Sequence, residues 1–215
     1  MNHSITSAPS PCLSSLQDIQ LIALYRGILE KVAPGAAGPE PWRRRKLGAA
    51  HELLALAQIS RRMTIQYLDL TDAIRAVFVL KVPVPCRRGG AGPFLVAPAA
   101  VIGLTYRSEA MVSAQPGHSF AEILQPRDVF HPNVAPSYQP PGAQILCLGP
   151  KLPASIRIVD LVLMIYTAIC LQSVNYSFTD SAGLLNQSAG LFLEANPARV
   201  PLTREPFLPI KEAVQ

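Results

Sequence analysis

The chain is expected to fold as an α+β protein, with an antiparallel meander sheet packed on helices. Three observations predict this. Residues 60–125 hold short runs of β-branched and aromatic residues separated by Gly and Pro, the pattern of a strand meander. Behind them, Ser155–Gln172 is apolar almost all the way round, as a helix buried on several sides must be. A further segment, about 181–195, keeps Leu185, Ala189, Phe192 and Leu193 on one stripe and stops at Asn196-Pro197. Strands followed by helices, rather than alternating with them, imply an antiparallel sheet with the helices segregated.

In chain order, residues 1–13 are polar and bear Pro and Ser. Ser14 and Gln17 read as a capping box for a helix running to about Val32, with Leu21, Leu24, Tyr25, Ile28 and Val32 as its stripe. Ala33-Pro34-Gly35 ends it. Pro39-Glu40-Pro41 leads into a second helix, about 42–58, whose Leu47, Ala50, Leu54 and Ala57 share a face. Its opening, Trp42-Arg43-Arg44-Arg45-Lys46, sets positive charge where the helix dipole disfavours it. Strands are expected over Ala73–Val84, Phe94–Val96, Val101–Tyr106 and Ser119–Leu124. Residues Cys86 to Pro93 read as a hairpin loop: they lack the Gly-Lys-Ser/Thr ending of a phosphate cradle. Asp180 or Ser181 is expected to cap the last helix, and 198–215 is a Pro-broken tail lying along the surface.

At 215 residues and 49% hydrophobic, the chain suits one domain with an extension. The net charge of +5 is uneven. Residues 1–107 carry 13 Lys+Arg against 6 Asp+Glu, and 108–215 carry 6 against 8. The basic clusters have no interleaved aromatics, which argues against a nucleic-acid binder. The longest apolar run, Leu161–Leu171, is too short to span a bilayer. Four cysteines, at 12, 86, 147 and 170, make no metal-ligand spacing, and no signal sequence opens the chain. No metal, cofactor or membrane association is expected, and a reducing cytoplasm is the expected compartment.

One stretch concentrates chemistry. His131-Pro132-Asn133 closes an apolar strand; a Pro-rich loop, Ala135 to Gly142, follows; Ile145-Leu146-Cys147-Leu148 then sets one thiol just before Gly149-Pro150. Two helices come next, the second around Leu185-Asn186-Gln187-Ser188-Ala189. This order resembles the ubiquitin-conjugating (E2) family, in a divergent form of the kind found in bacterial operons beside E1-like, ubiquitin-like and JAB-type peptidase proteins. The resemblance covers roughly Pro41 to Pro197. It implies a UBC-like fold over 41–197, an extra N-terminal helix within 1–40, and a tail over 198–215. The chain departs from the family in three places, the first being that the Tyr-Pro…Pro-Pro segment before the tripeptide is not evident. Sixteen positions separate His131 from Cys147, several more than usual, and Lys151-Leu152-Pro153-Ala154 stands where Trp-Ser-Pro commonly follows the cysteine.

What the resemblance implies for function is specific. Cys147 would take a ubiquitin-like protein from an E1-like enzyme as a thioester and pass it to an amine of a target protein. Asn133 would donate to the oxyanion or shape the loop, while His131 and Pro132 would stabilise the turn. Asp180 would help position the incoming lysine, and Arg43, Arg44, Arg45 and Lys46 would meet the E1. A role in antiphage defence goes with such operons. The reading needs the sulfur at the surface, close to the Asn133 amide.

Two alternatives are open. A non-catalytic E2-variant would keep the fold, bind a modifier or partner and transfer nothing. A thiol hydrolase would use His118 as base to Cys147. Of the other thiols, Cys86 stands beside Arg87 and Arg88, which would lower its pKa and make it a second reactive candidate. Cys170 reads as core, and Cys12 as part of the tail. Tyr138 would either overhang Cys147 or be a simple loop aromatic.

Overall fold

A computed structural model describes residues 16–88, 92–136, 143–172 and 184–209. Five strands form an antiparallel sheet in the order β1 (Met63–Asp69), β2 (Ile74–Leu80), β5 (Ala100–Tyr106), β6 (Ala121–Gln125) and β7 (Gln144–Leu146). A separate hairpin pairs β3 (Val84–Arg87) with β4 (Phe94–Ala97). The helices are α1 (Leu16–Val32), α2 (Glu40–Ile59), the single turn α3 (Glu109–Val112), α4 (Ile158–Ile169) and α5 (Gln187–Ala195).

The sheet's two faces follow from the period of two along each strand. In β2, Ile74, Ala76, Phe78 and Leu80 are buried while the residues between them are half-exposed. Their β5 partners Tyr106, Leu104, Ile102 and Ala100 are buried in step. A one-residue slip would turn this whole set to solvent, so the register is strongly specified. Against the inner face packs α2, through Ala49, Ala50, Leu53, Leu54, Leu56 and Ala57, and α4 packs on α2. On α4, Ile158, Leu161, Val162, Ile165, Ala168 and Ile169 are all buried. Each fully buried Leu, Ile or Val contributes roughly 1.5–3 kcal/mol, which is how α4 anchors everything that hangs on its ends.

Several expected boundaries move. The strand expected over Ala73–Val84 is two, because the chain leaves β2 after Leu80 and enters the hairpin at Val84. The central helix loses its first three and last three expected residues. Arg157 is extended at one end, and Leu171 takes a left-handed φ of 57° at the other. There the amides of Leu171 and Gln172 bond back to the carbonyls of Ala168 and Thr167, closing the helix in a Schellman pattern. Of the α1 stripe, Tyr25 is buried and Ile28 and Val32 are half-buried, but Leu24 faces solvent. Ser14 lies outside the described residues.

The last helix begins later than expected. Its cap is Asn186, whose side chain accepts from the Ala189 amide at 3.0 Å. Asp180 and Ser181, the expected caps, lie outside the described residues. The described part of the tail is anchored to the core. Phe207 is buried against Tyr166, its carbonyl accepts from the Ser60 hydroxyl at 2.7 Å, and Glu205 pairs with Arg62. Among the described residues no helix is long and apolar enough to cross a membrane.

Candidate active site: the His-Pro-Asn turn and Cys147

The strand segment before the tripeptide is held from two sides. Val129 bridges to Cys86 of the hairpin, and the Phe130 amide donates to the Pro85 carbonyl at 2.8 Å. From the other side comes Gln144, a polar residue 3% exposed at an inward position of β7. Its carbonyl oxygen accepts from the Val129 amide at 2.8 Å, and its NH2 donates to the carbonyls of Val129 at 3.1 Å and Ala135 at 2.8 Å. Gln144 was not singled out in the sequence. The available signal was a glutamine on the buried side of an apolar strand, which must find partners or cost stability.

The turn itself is built on His131, which is 1% exposed. Its Nδ1 accepts from the Asn133 backbone N–H at 3.0 Å, and its Nε2 faces the Ala168 carbonyl at 2.9 Å. A nitrogen that accepts carries no proton, so the proton sits on Nε2 and is donated to the carbonyl of Ala168, in the last turn of α4. Burial lowers the imidazole pKa to about 4, against the opposing pull of the Ala168 bond. The ring is therefore neutral and engaged on both nitrogens, a strut between the turn and α4 with no free base. Pro132 contributes its carbonyl, which accepts from the amides of Leu185 at 2.8 Å and Asn186 at 2.9 Å. The turn thus fixes the entry to α5 as well.

Asn133 and Cys147 are joined twice. The Cys147 amide donates to the Asn133 carbonyl at 2.8 Å, and the Asn133 Nδ2 donates to the Cys147 carbonyl at 3.3 Å. Val134 bridges Leu146, so the residues after the turn lie along the free edge of β7. Among the described residues the buried Asn133 Oδ1 has no partner. An amide nitrogen has two hydrogens, so among the described residues one N–H of Asn133 remains beyond that given to Cys147. The Asn133 amide thus reaches the backbone of Cys147, through its carbonyl and not its sulfur.

The expected exposure is not. Cys147 is 4% exposed, and its Sγ donates to the Gly149 carbonyl at 3.4 Å. It nonetheless stands outside the continuous apolar core, unlike its neighbours Leu146 and Leu148. Asp180, Tyr138 and Gly142 lie outside the described residues.

The basic start of α2 divides. Arg43 and Arg44 are exposed and pair with Glu40 in the first turn, which offsets the unfavourable dipole. Arg45 turns inward, donating to the Ile156 carbonyl at 2.6 Å with its guanidinium over the Tyr106 ring. Lys46 is fully buried, donating to the Thr71 carbonyl at 2.8 Å near the Trp42 ring. Lys46 cannot meet a partner, and Arg45 is already engaged. Both expectations are corrected, because each cation has a carbonyl acceptor in the fold.

Cys86 is also corrected. Burial pushes its thiol up rather than down, because Arg87 is turned away onto the Phe130 and Phe192 rings and the Gly92 carbonyl. Cys170 is core as expected, its thiol raised to about 11 by burial. His118 is exposed, in a cleft on the outer face of the sheet with Gly103, Thr105, Arg107, Glu122 and Ile145. The thiol of Cys147 meets the Gly149 carbonyl and not this ring, so a hydrolase using His118 as base has no geometric support. Among the described residues no group of three His, Cys, Asp or Glu side chains is placed to hold a metal.

No family model, no curated protein and no solved structure matches the chain.

Proposed function

We propose that the chain is an E2-like conjugating enzyme on a UBC-like fold, carrying a ubiquitin-like protein as a thioester on Cys147. The observation that supports this reading is the double tie between Asn133 and Cys147, made rigid by His131 against α4. Such chemistry needs little machinery beyond uncovering the sulfur of Cys147, a residue 4% exposed. The Cys147 thiolate attacks the carbonyl of an E1-bound thioester, and the E1 thiolate leaves. A target amine then attacks the new thioester, passes through a tetrahedral oxyanion and expels the Cys147 thiolate, losing its proton to solvent or a nearby carboxylate. Asn133 is the donor this step calls for, through the N–H it does not spend on the Cys147 carbonyl. Removing one such donor typically costs about 10²–10³ in rate. Of the four basic residues at the start of α2, Arg43 and Arg44 are the exposed ones and so those that can meet the E1. A place in antiphage defence belongs to the same reading.

The test is incubation with a matched E1, the modifier and ATP, followed by a non-reducing gel. The expected product is a thiol-sensitive adduct that disappears in Cys147→Ala. An adduct that persists in that variant would refute the assignment.

A second reading is a non-catalytic E2-variant that binds a modifier or partner. The 4% exposure of Cys147 favours it. A chain that binds the modifier in titration yet forms no adduct under the same conditions would decide for this reading.

A further inference from the structure

The carbonyl that holds the Cys147 sulfur is itself seated by a distant part of the chain. Residues 110–117 run beside 148–155 as a short ladder. The Leu148 amide donates to the Gly117 carbonyl at 3.3 Å, and Gln115 and Leu152 exchange two backbone bonds at 3.1 and 2.8 Å. Further along, the Ser155 amide donates to the Ala110 carbonyl at 2.7 Å, and its hydroxyl to the Met111 carbonyl at 2.8 Å. At the thiol end of the ladder the two backbones nearly touch. A Cβ added to Gly117 would lie 2.2 Å from the Gly149 oxygen and 2.7 Å from its nitrogen. Gly149 has a φ of +131°, which a residue with a side chain rarely adopts. Pro150 follows it, with φ fixed by its ring and no N–H to offer. An oxygen acceptor therefore faces the sulfur, and turning the 149–150 peptide would bring no donor in its place.

We infer that Gly117 is a positioning residue for the thiol: it seats the Gly149 carbonyl on Cys147 and keeps the sulfur as a covered S–H donor until this contact is loosened. A carbonyl oxygen accepts from S–H and opposes a sulfur anion, and it is the anion that reacts. The meaning of this restraint for transfer rests on the carrier role proposed above. The restraint itself is measured without modifier or E1.

The experiment is alkylation of the full chain by iodoacetamide at pH 7 and pH 9, with the labelled cysteine identified by peptide mass and folding checked by circular dichroism. Wild type is expected to label slowly at Cys147. Gly117→Ala, whose methyl displaces the Gly149 carbonyl, is expected to label that residue about tenfold faster at pH 7, with a smaller gain at pH 9. A folded variant with the wild-type rate overturns the inference. So does an equal gain at both pH values, which means the sulfur was merely uncovered. Should Gly117→Ala fail to fold, Pro150→Ala at an exposed position frees the same peptide and carries the same expectation and the same refuting outcome. Thioester formation is scored separately. Faster alkylation without a thioester rejects the carrier role and leaves the positioning role standing, whereas a thioester with unchanged alkylation does the reverse.

Discussion

Acid should destabilise the fold through His131 before it acts through any carboxylate. The imidazole accepts from the Asn133 amide and donates to the Ala168 carbonyl from a site 1% exposed. A second proton must go onto Nδ1, which would break the Asn133 bond and place a charge in the interior. The folded pKa of about 4 lies below the ordinary 6.5. The unfolded chain therefore takes up the proton first. The stability this group contributes is complete above about pH 6.5 and is lost as pH falls towards 4. At 1.36 kcal/mol for each pH step between the two values, the full loss is about 3 kcal/mol. For a chain of this length that corresponds to roughly 6–12 °C in melting temperature.

The assay is urea unfolding at half-unit steps from pH 7.5 to 4, on wild type and on His131→Gln. The glutamine can keep a donor near Ala168 but does not titrate. It should be less stable at pH 7 by about 1–2 kcal/mol for the lost Asn133 acceptor. The gap between the two proteins should close, and then reverse, as pH falls. Carboxylates such as Asp69, held low chiefly by the Thr71 hydroxyl, are common to both proteins and cancel in the difference. Parallel pH profiles, or an imidazole in the folded protein that titrates near 6.5, would refute the reasoning.

Three further outcomes are expected. Asn186→Ala removes the cap of α5 and should cost about 1 kcal/mol by denaturant unfolding. Phe207→Ala removes the buried anchor of the tail and should cost about 3 kcal/mol, with earlier proteolysis of residues 200–209 than of the core. Lys46→Ala strips the Thr71 carbonyl of its donor and the Trp42 ring of its cover and should cost about 1–3 kcal/mol, whereas Arg43→Ala with Arg44→Ala should leave stability within about 0.5 kcal/mol; equal losses in the two cases would contradict the division of this cluster.

Helices α2 and α4 could be read from the residues because their apolar positions are periodic. Ala50, Leu54 and Ala57 recur at helical spacing and are buried. The inner face of the sheet was not legible in this way, because Val77, Val79 and Val101 are as apolar as the buried residues beside them and only the packing separates the two sides. The join between His131, Asn133 and Cys147 was legible as a motif and is present as hydrogen bonds. The exposure of the thiol was not legible, because it depends on the Gly149 carbonyl and on the approach of Gly117 from another part of the chain.

The sequence by itself determined the main helices, the buried stripes of α2 and α4 and the residues gathered at the turn, since each depends on spacing between near neighbours. Only the tertiary structure decided the fate of the polar groups. Lys46 bonds to Thr71 and Arg45 to Ile156, partners 25 and 111 positions away, and Gln144 closes a loop begun 15 positions earlier. A buried donor or acceptor is satisfied by whatever the fold brings to it, and no local pattern records that choice.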